Sequence, residues 1–110
     1  LFVLPSKTEN FAMTVAESLA VELPVITTKA TPWSGLKTNR CGWWVKGDEV
    51  SLFEKLKIAL SLPEKELVDM GRRGKKWMKK DFSWENACKK TLEAYQWIET
   101  KGRKPDHIYI

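Results

Sequence analysis

Histidine, cysteine and long apolar runs are scarce in this chain, and each scarcity closes a class of function. The single histidine, His107, has no partner placed near it by sequence, so no catalytic role follows for it. Cys41 and Cys88 stand alone, with neither metal-ligand spacing nor a Cys-x-x-Cys pair. They read as reduced thiols that act as small packing residues, and no metal centre is expected. No stretch approaches the roughly 20 apolar residues of a membrane span, and the charged start and apolar middle of a secretory signal are missing. The expected compartment is therefore the cytoplasm. What is present, 43% hydrophobic and 30% charged residues over 110 positions, suits one modest globular domain. The chain also lacks an opening methionine and starts directly inside an apolar run. A buried strand needs neighbours on both sides, so the chain reads as a piece of a longer protein whose amino-terminal part is absent.

The stretch from Pro5 to Glu17 is the expected seat of function. Leu1-Phe2-Val3-Leu4 is a short apolar run stopped by Pro5, which predicts a buried strand. From Phe11 a helical stripe runs through Val15, Leu19 and Leu23, with Ala12, Ala16 and Ala20 beside it, and the helix is expected to end near Glu22. Glu9 lies in the loop before this helix and Glu17 lies about two turns in, away from the stripe. The first amides of a helix have no partner within it, so such a start is an anion site that suits phosphate. By spacing alone, the two carboxylates are better read as a favourable charge at the positive helix end and a solvated surface residue.

Pro24-Val25-Ile26-Thr27-Thr28 predicts the next strand, and strand, helix, strand with short links makes a parallel unit. The loop from Thr28 to Leu36 follows the carboxyl end of that strand, the edge where open α/β sheets bind ligands. Residues 29–33 either border a site there or form a structural loop with Trp33 tucked into the core. Trp43-Trp44-Val45-Lys46 predicts a third strand, with the tryptophans read as packing rather than as a sugar platform. Helices are expected at about 50–62, with Leu52, Phe53, Leu56, Ala59 and Leu60 on the core face, and from Pro63 to about Lys80, with Leu67, Met70, Gly71, Gly74, Trp77 and Met78 as the stripe. A last helix, capped by Ser83 with Glu85 in its first turn, runs to about Thr100 and packs through Ala87, Thr91, Ala94, Tyr95 and Ile98. Residues 101–110 read as a tail or linker.

The net charge is +5, and its densest part is Arg72, Arg73, Lys75, Lys76, Lys79 and Lys80. Three readings compete: a solvated helix face, peripheral attraction to an anionic membrane surface, and nucleic-acid binding with Trp77, Trp84 and Trp97 as stacking partners. The last is the least supported, because Met70, Gly71, Gly74 and Trp77 already form a core-facing stripe.

The succession Leu-Pro-Ser, Glu-Asn-Phe-Ala, Ala-Glu-Ser-Leu-Ala and Leu-Pro-Val-Ile-Thr-Thr resembles the donor-site signature of family 4 retaining glycosyltransferases, over residues 1–97. Those enzymes have two Rossmann-like domains in the GT-B arrangement and carry a Glu, seven residues, then a Glu. The resemblance implies an α/β fold: a Rossmann-like parallel sheet, half of a GT-B carboxyl-terminal domain, followed by packed helices. Residues 1–100 would be this partial donor-binding domain, without the amino-terminal acceptor domain. By the same resemblance Glu9 is catalytic, contacting the donor sugar and shaping charge at the anomeric centre, and Glu17 accepts hydrogen bonds from the ribose. Backbone amides of Asn10, Phe11, Ala12 and Met13 hold the diphosphate. No Asp-x-Asp motif is present, in keeping with metal-independent transfer and no cofactor beyond the nucleotide-sugar substrate. The acceptor, a saccharide or lipid-linked hydroxyl, is implied to bind mainly through the missing domain, so the chain alone is expected to be inactive. Thr31-Pro32-Trp33 and Cys41-Gly42-Trp43-Trp44-Val45 are similar to the branch that builds bacterial surface polysaccharide, lipopolysaccharide or capsule.

Three positions depart from the family pattern. Asn10 and Ala12 replace its glycines, which predicts positive φ at Asn10. Glu22 replaces a helix-ending glycine, which predicts that Glu22 or Leu23 leaves helical angles. A nucleic-acid module and a non-catalytic α/β interaction domain are the rival classes.

Overall fold

The structure is a computed structural model that describes residues 1–108. The chain divides into two compact units, residues 1–78 and 79–110. The first holds three short parallel strands, β1 (Phe2–Leu4), β2 (Val25–Thr28) and β3 (Gly42–Val45), in the order β1-β2-β3. α1 (Met13–Ala20) links the first pair, a four-residue α2 (Gly35–Thr38) the second, and α3 (Glu49–Ser61) and α4 (Glu64–Asp81) follow. Phe2 stands opposite Val25, and Ile26 opposite Trp43. The fold is the expected α/β one, a Rossmann-like parallel sheet followed by helices.

A parallel sheet has to be covered on both faces, and the alternation of side chains along its strands shows how that is done here. Val25 enters a core with Val15, Leu19, Trp33, Leu36, Cys41 and Met78. Ile26, one residue on, joins Val45 and Ala59 on the opposite face, against Leu52 and Leu56 of α3. The tandem tryptophans divide in the same way, Trp44 packing on the first cluster and Trp43 on the second. Both pack as their position in a short strand suggested, and both are only half-buried, so part of each ring remains at the surface.

The helical stripes are corrected in three places. In α1 the buried residues are Val15, Ser18 and Leu19. Phe11 and Leu23 fall outside the helix, and Ser18 fits the core because its hydroxyl donates to the Thr14 carbonyl at 2.8 Å. In α3, Phe53 and Leu60 are exposed, since only Leu52, Leu56 and Ala59 find sheet beneath them. In α5 (Trp84–Thr100), described within the second unit, no residue is buried, and Tyr95 and Ile98 of the expected packing face are each 66% exposed. Its cap is as read: the Ser83 hydroxyl accepts from the Asn86 amide at 3.1 Å. After α5 the chain folds back, and His107 Nε2 lies 2.9 Å from the Lys90 carbonyl, with Nδ1 3.7 Å from Glu93. The last two positions of the expected tail lie outside the described residues.

Glu22 adopts φ 65° and so leaves helical angles as expected, in the left-handed conformation that glycine takes without strain. Its carbonyl lies so close to Gly71 of α4 that a Cβ there would overlap it. α4 buries Met70, Gly71, Gly74 and Met78 as its stripe predicts. Part of its cationic charge is structural: Arg73 Nε donates to the Arg40 carbonyl at 2.8 Å, and Lys75 stands 3.6 Å from Glu22.

Three expected outcomes follow from these contacts and burials. Replacing Glu22 by Gly raises stability by about 1 kcal/mol in urea unfolding, because relief of left-handed strain, about 1–2 kcal/mol, exceeds an exposed ion pair of at most about 1 kcal/mol. Gly71→Ala lowers it by about 1–3 kcal/mol through overpacking. A thiol reagent at pH 8 modifies the exposed Cys88 rapidly and Cys41 only on unfolding, since burial pushes the Cys41 thiol up to about 11 against the lowering effect of Arg73. Rapid labelling of both thiols in folded protein contradicts the packing described.

Candidate functional site

The loop of residues 5–12 leaves the carboxyl end of β1 and is tied down from β2, whose two threonines do work that apolar residues could not. Thr27 Oγ1 donates to the Leu4 carbonyl at 3.1 Å, and Thr28 Oγ1 donates to the Ser6 carbonyl. Both threonines are buried, so their hydroxyls satisfy themselves by holding the root of the loop. Farther along, the indole N–H of Trp33 donates to the Phe11 carbonyl at 2.6 Å, and the Phe11 and Trp33 rings lie 5.1 Å apart. Trp33 is 1% exposed, which settles its role as core rather than site border. It nevertheless shapes the site through that one hydrogen bond.

Beyond Phe11 the chain turns through Ala12 at φ 59° and ψ 67° into α1. The left-handed residue is thus Ala12, one of the two glycine replacements, and not Asn10 as expected. The reason is local: Ala12 is buried under the loop, and its carbonyl already accepts from Val15 N–H at 3.0 Å, so the turn into the helix must be made at that residue. No side chain caps α1, and its first turn carries no acid. No cap side chain accepts from its leading amides.

Glu9 is exposed, and its Oε1 accepts from the Ser6 hydroxyl at 2.7 Å. Glu17 is exposed on α1, one helical turn after Met13, which is 59% exposed on the same side. Asn10 and Phe11 are exposed and Ala12 is buried. The six residues read from the sequence therefore lie along one loop and the helix it opens. Thr27, Thr28 and the Trp33 indole were missed as supports. The polar pair ending a strand otherwise β-branched and buried was the available sign, since buried threonines need acceptors. Among the described residues no group of histidine, cysteine or acidic side chains is arranged to hold a metal ion. No helix among them is long and apolar enough to cross a membrane.

Comparison with curated proteins and with solved structures returned no match. A family model described as glycosyl transferases group 1 matches residues 1–77. That span contains the sheet, the loop of residues 5–12, α1 and most of α4. By its sheet, its loop and this match, the chain belongs to the group 1 glycosyltransferases.

Proposed function

We propose that the chain binds the nucleotide-sugar donor of a retaining glycosyltransferase of family 4, acting in the synthesis of bacterial surface polysaccharide. The observation that carries the reading is the start of α1, an uncapped helix at the carboxyl edge of a parallel sheet, entered through a left-handed residue. Oxygen atoms of a diphosphate are the ligands such a start accommodates. In the proposed roles, the amides of residues 10–13 hold those oxygens and take up charge as the diphosphate leaves. The carboxylate of Glu17, an acceptor only, receives the ribose hydroxyls. Glu9, oriented by Ser6, faces the sugar and stabilises positive charge growing at its anomeric carbon.

The bond from anomeric carbon to phosphate oxygen breaks, and the acceptor hydroxyl bonds to that carbon on the same face, its proton passing to the departing phosphate. Helix amides replace a metal in this scheme, so no cofactor is required. The saccharide or lipid-linked acceptor binds chiefly through a second domain, and the chain by itself does not turn over. The cationic side chains of α4 support peripheral contact with the inner face of an anionic membrane, in a cytoplasmic enzyme.

Calorimetric titration with uridine and guanosine diphosphates tests this. One of them binds at least tenfold more tightly than its nucleoside, and Glu17→Ala reduces that affinity about tenfold without lowering the unfolding midpoint. Equal affinity for diphosphate and nucleoside removes the phosphate role of α1. Excess EDTA leaves binding unchanged, whereas a requirement for added magnesium overturns the metal-free scheme.

A further inference from the structure

We propose that the same sheet edge carries a second site, apart from the loop before α1, which binds a saccharide bearing a carboxylate or phosphate group. The site is a concavity of about 370 Å³ whose lining includes Lys29, Trp44, Lys46, Val50, Glu54 and Lys55. Three separate segments bring the lysines together. The backbone N–H of Lys29 donates to the Val45 carbonyl at 2.8 Å, which sets Lys29, just past β2, beside Lys46, just past β3. Lys55 comes from the second turn of α3.

The charge in this hollow is poorly balanced from within. Asp48, the nearest acid in sequence to Lys46, is engaged as the cap of α3, accepting from the Ser51 amide at 2.7 Å and the Ser51 hydroxyl at 2.9 Å. Those bonds first, and Lys46 to a smaller extent, hold its carboxyl below the usual range. Glu54 is the acid within the lining. Among the described residues Lys29, Lys46 and Lys55 make no ion pair, leaving three ammonium groups around one carboxylate.

Ammonium groups on flexible stems are rotatable donors suited to phosphate or carboxylate oxygens. Inorganic anions would need nothing more, yet this hollow also has an apolar wall. Trp44 and Val50 supply it, and the Lys29 ammonium stands 5.5 Å from the Trp44 ring centre. An oxyanion carried on a body with C–H faces satisfies both features, and a sugar ring is such a body. The position is also where open α/β sheets receive ligands. Assignment of the ligand to the acceptor side of a sugar transfer rests on the function proposed above; the binding itself does not.

The test is a titration of the whole chain, followed by amide and indole NMR at constant ionic strength, with glucuronate, glucose 6-phosphate, glucose and inorganic phosphate. Expected are saturable shifts at the Trp44 indole, Lys46 and Ser51 with one or both acidic sugars, and the preferred one names the group recognised. Glucose and inorganic phosphate bind at least tenfold more weakly. The double substitution Lys46→Gln, Lys55→Gln lowers acidic-sugar affinity at least tenfold in a chain with unchanged spectral dispersion. Diphosphate-induced shifts at residues 9–17 persist in that variant, so the two sites fail or survive separately. Absence of saturable shifts, an equal response to inorganic phosphate, or undiminished affinity in the double variant overturns the proposal.

Discussion

One hydrogen bond, from the buried Trp33 indole to the Phe11 carbonyl, joins the core of the first unit to its candidate site. Trp33 is held on its other side by Trp77, whose ring meets it edge-on at 5.6 Å, and Trp77 in turn lies over Gly35, where a Cβ would collide with it. The loop of residues 5–12 is exposed along most of its length and would be mobile if left to itself. Its root is pinned by two threonines and its far end by this indole, so its conformation is set by the interior. Packing therefore reaches the chemistry through a few polar atoms at the end of β2 and just beyond it.

The same economy shows in the two left-handed residues that replace glycines of the family pattern. Ala12 and Glu22 stand at the two ends of α1, each carrying strain that glycine would avoid. A buried methyl group at Ala12 and an ion pair with Lys75 at Glu22 are what the chain gains in return. Each strained residue is backed by a contact nearby: Ala12 through the neighbouring Phe11 carbonyl, held by Trp33, and Glu22 by the close passage of Gly71. Strain of this size survives only where neighbours over-determine the conformation.

How far the fold could be read in advance follows from how each element is held. β1, β2 and β3 were legible because short β-branched or aromatic runs bounded by proline and glycine admit few alternatives. The departure at Glu22 was legible because an end of helix without glycine still needs the turn that glycine makes. Positive φ was expected at Asn10, yet it occurs at Ala12, because burial and a helix-opening carbonyl decide the turn and propensity does not. α2 was not foreseen, being one turn long and sustained by Trp33 and Leu36 in the core. Phe53 and Leu60 have the right period but no sheet beneath them, and α5 has an apolar face that stays uncovered. Periodicity states which side can be buried, while the number of strands and the neighbours present decide what is. The supports of the candidate site were not legible, because their contacts join positions more than twenty apart in the chain.

The account stands on the claim that the interior sets the loop of residues 5–12 through the Trp33 indole. Its most direct test is the diphosphate affinity of Trp33→Phe, which keeps a large aromatic ring in the core and removes the donor to Phe11. The account predicts a folded protein, less stable by about 1–2 kcal/mol as for other lost hydrogen bonds to a buried group, that binds its preferred nucleoside diphosphate about tenfold more weakly. A folded Trp33→Phe chain with wild-type affinity would contradict it.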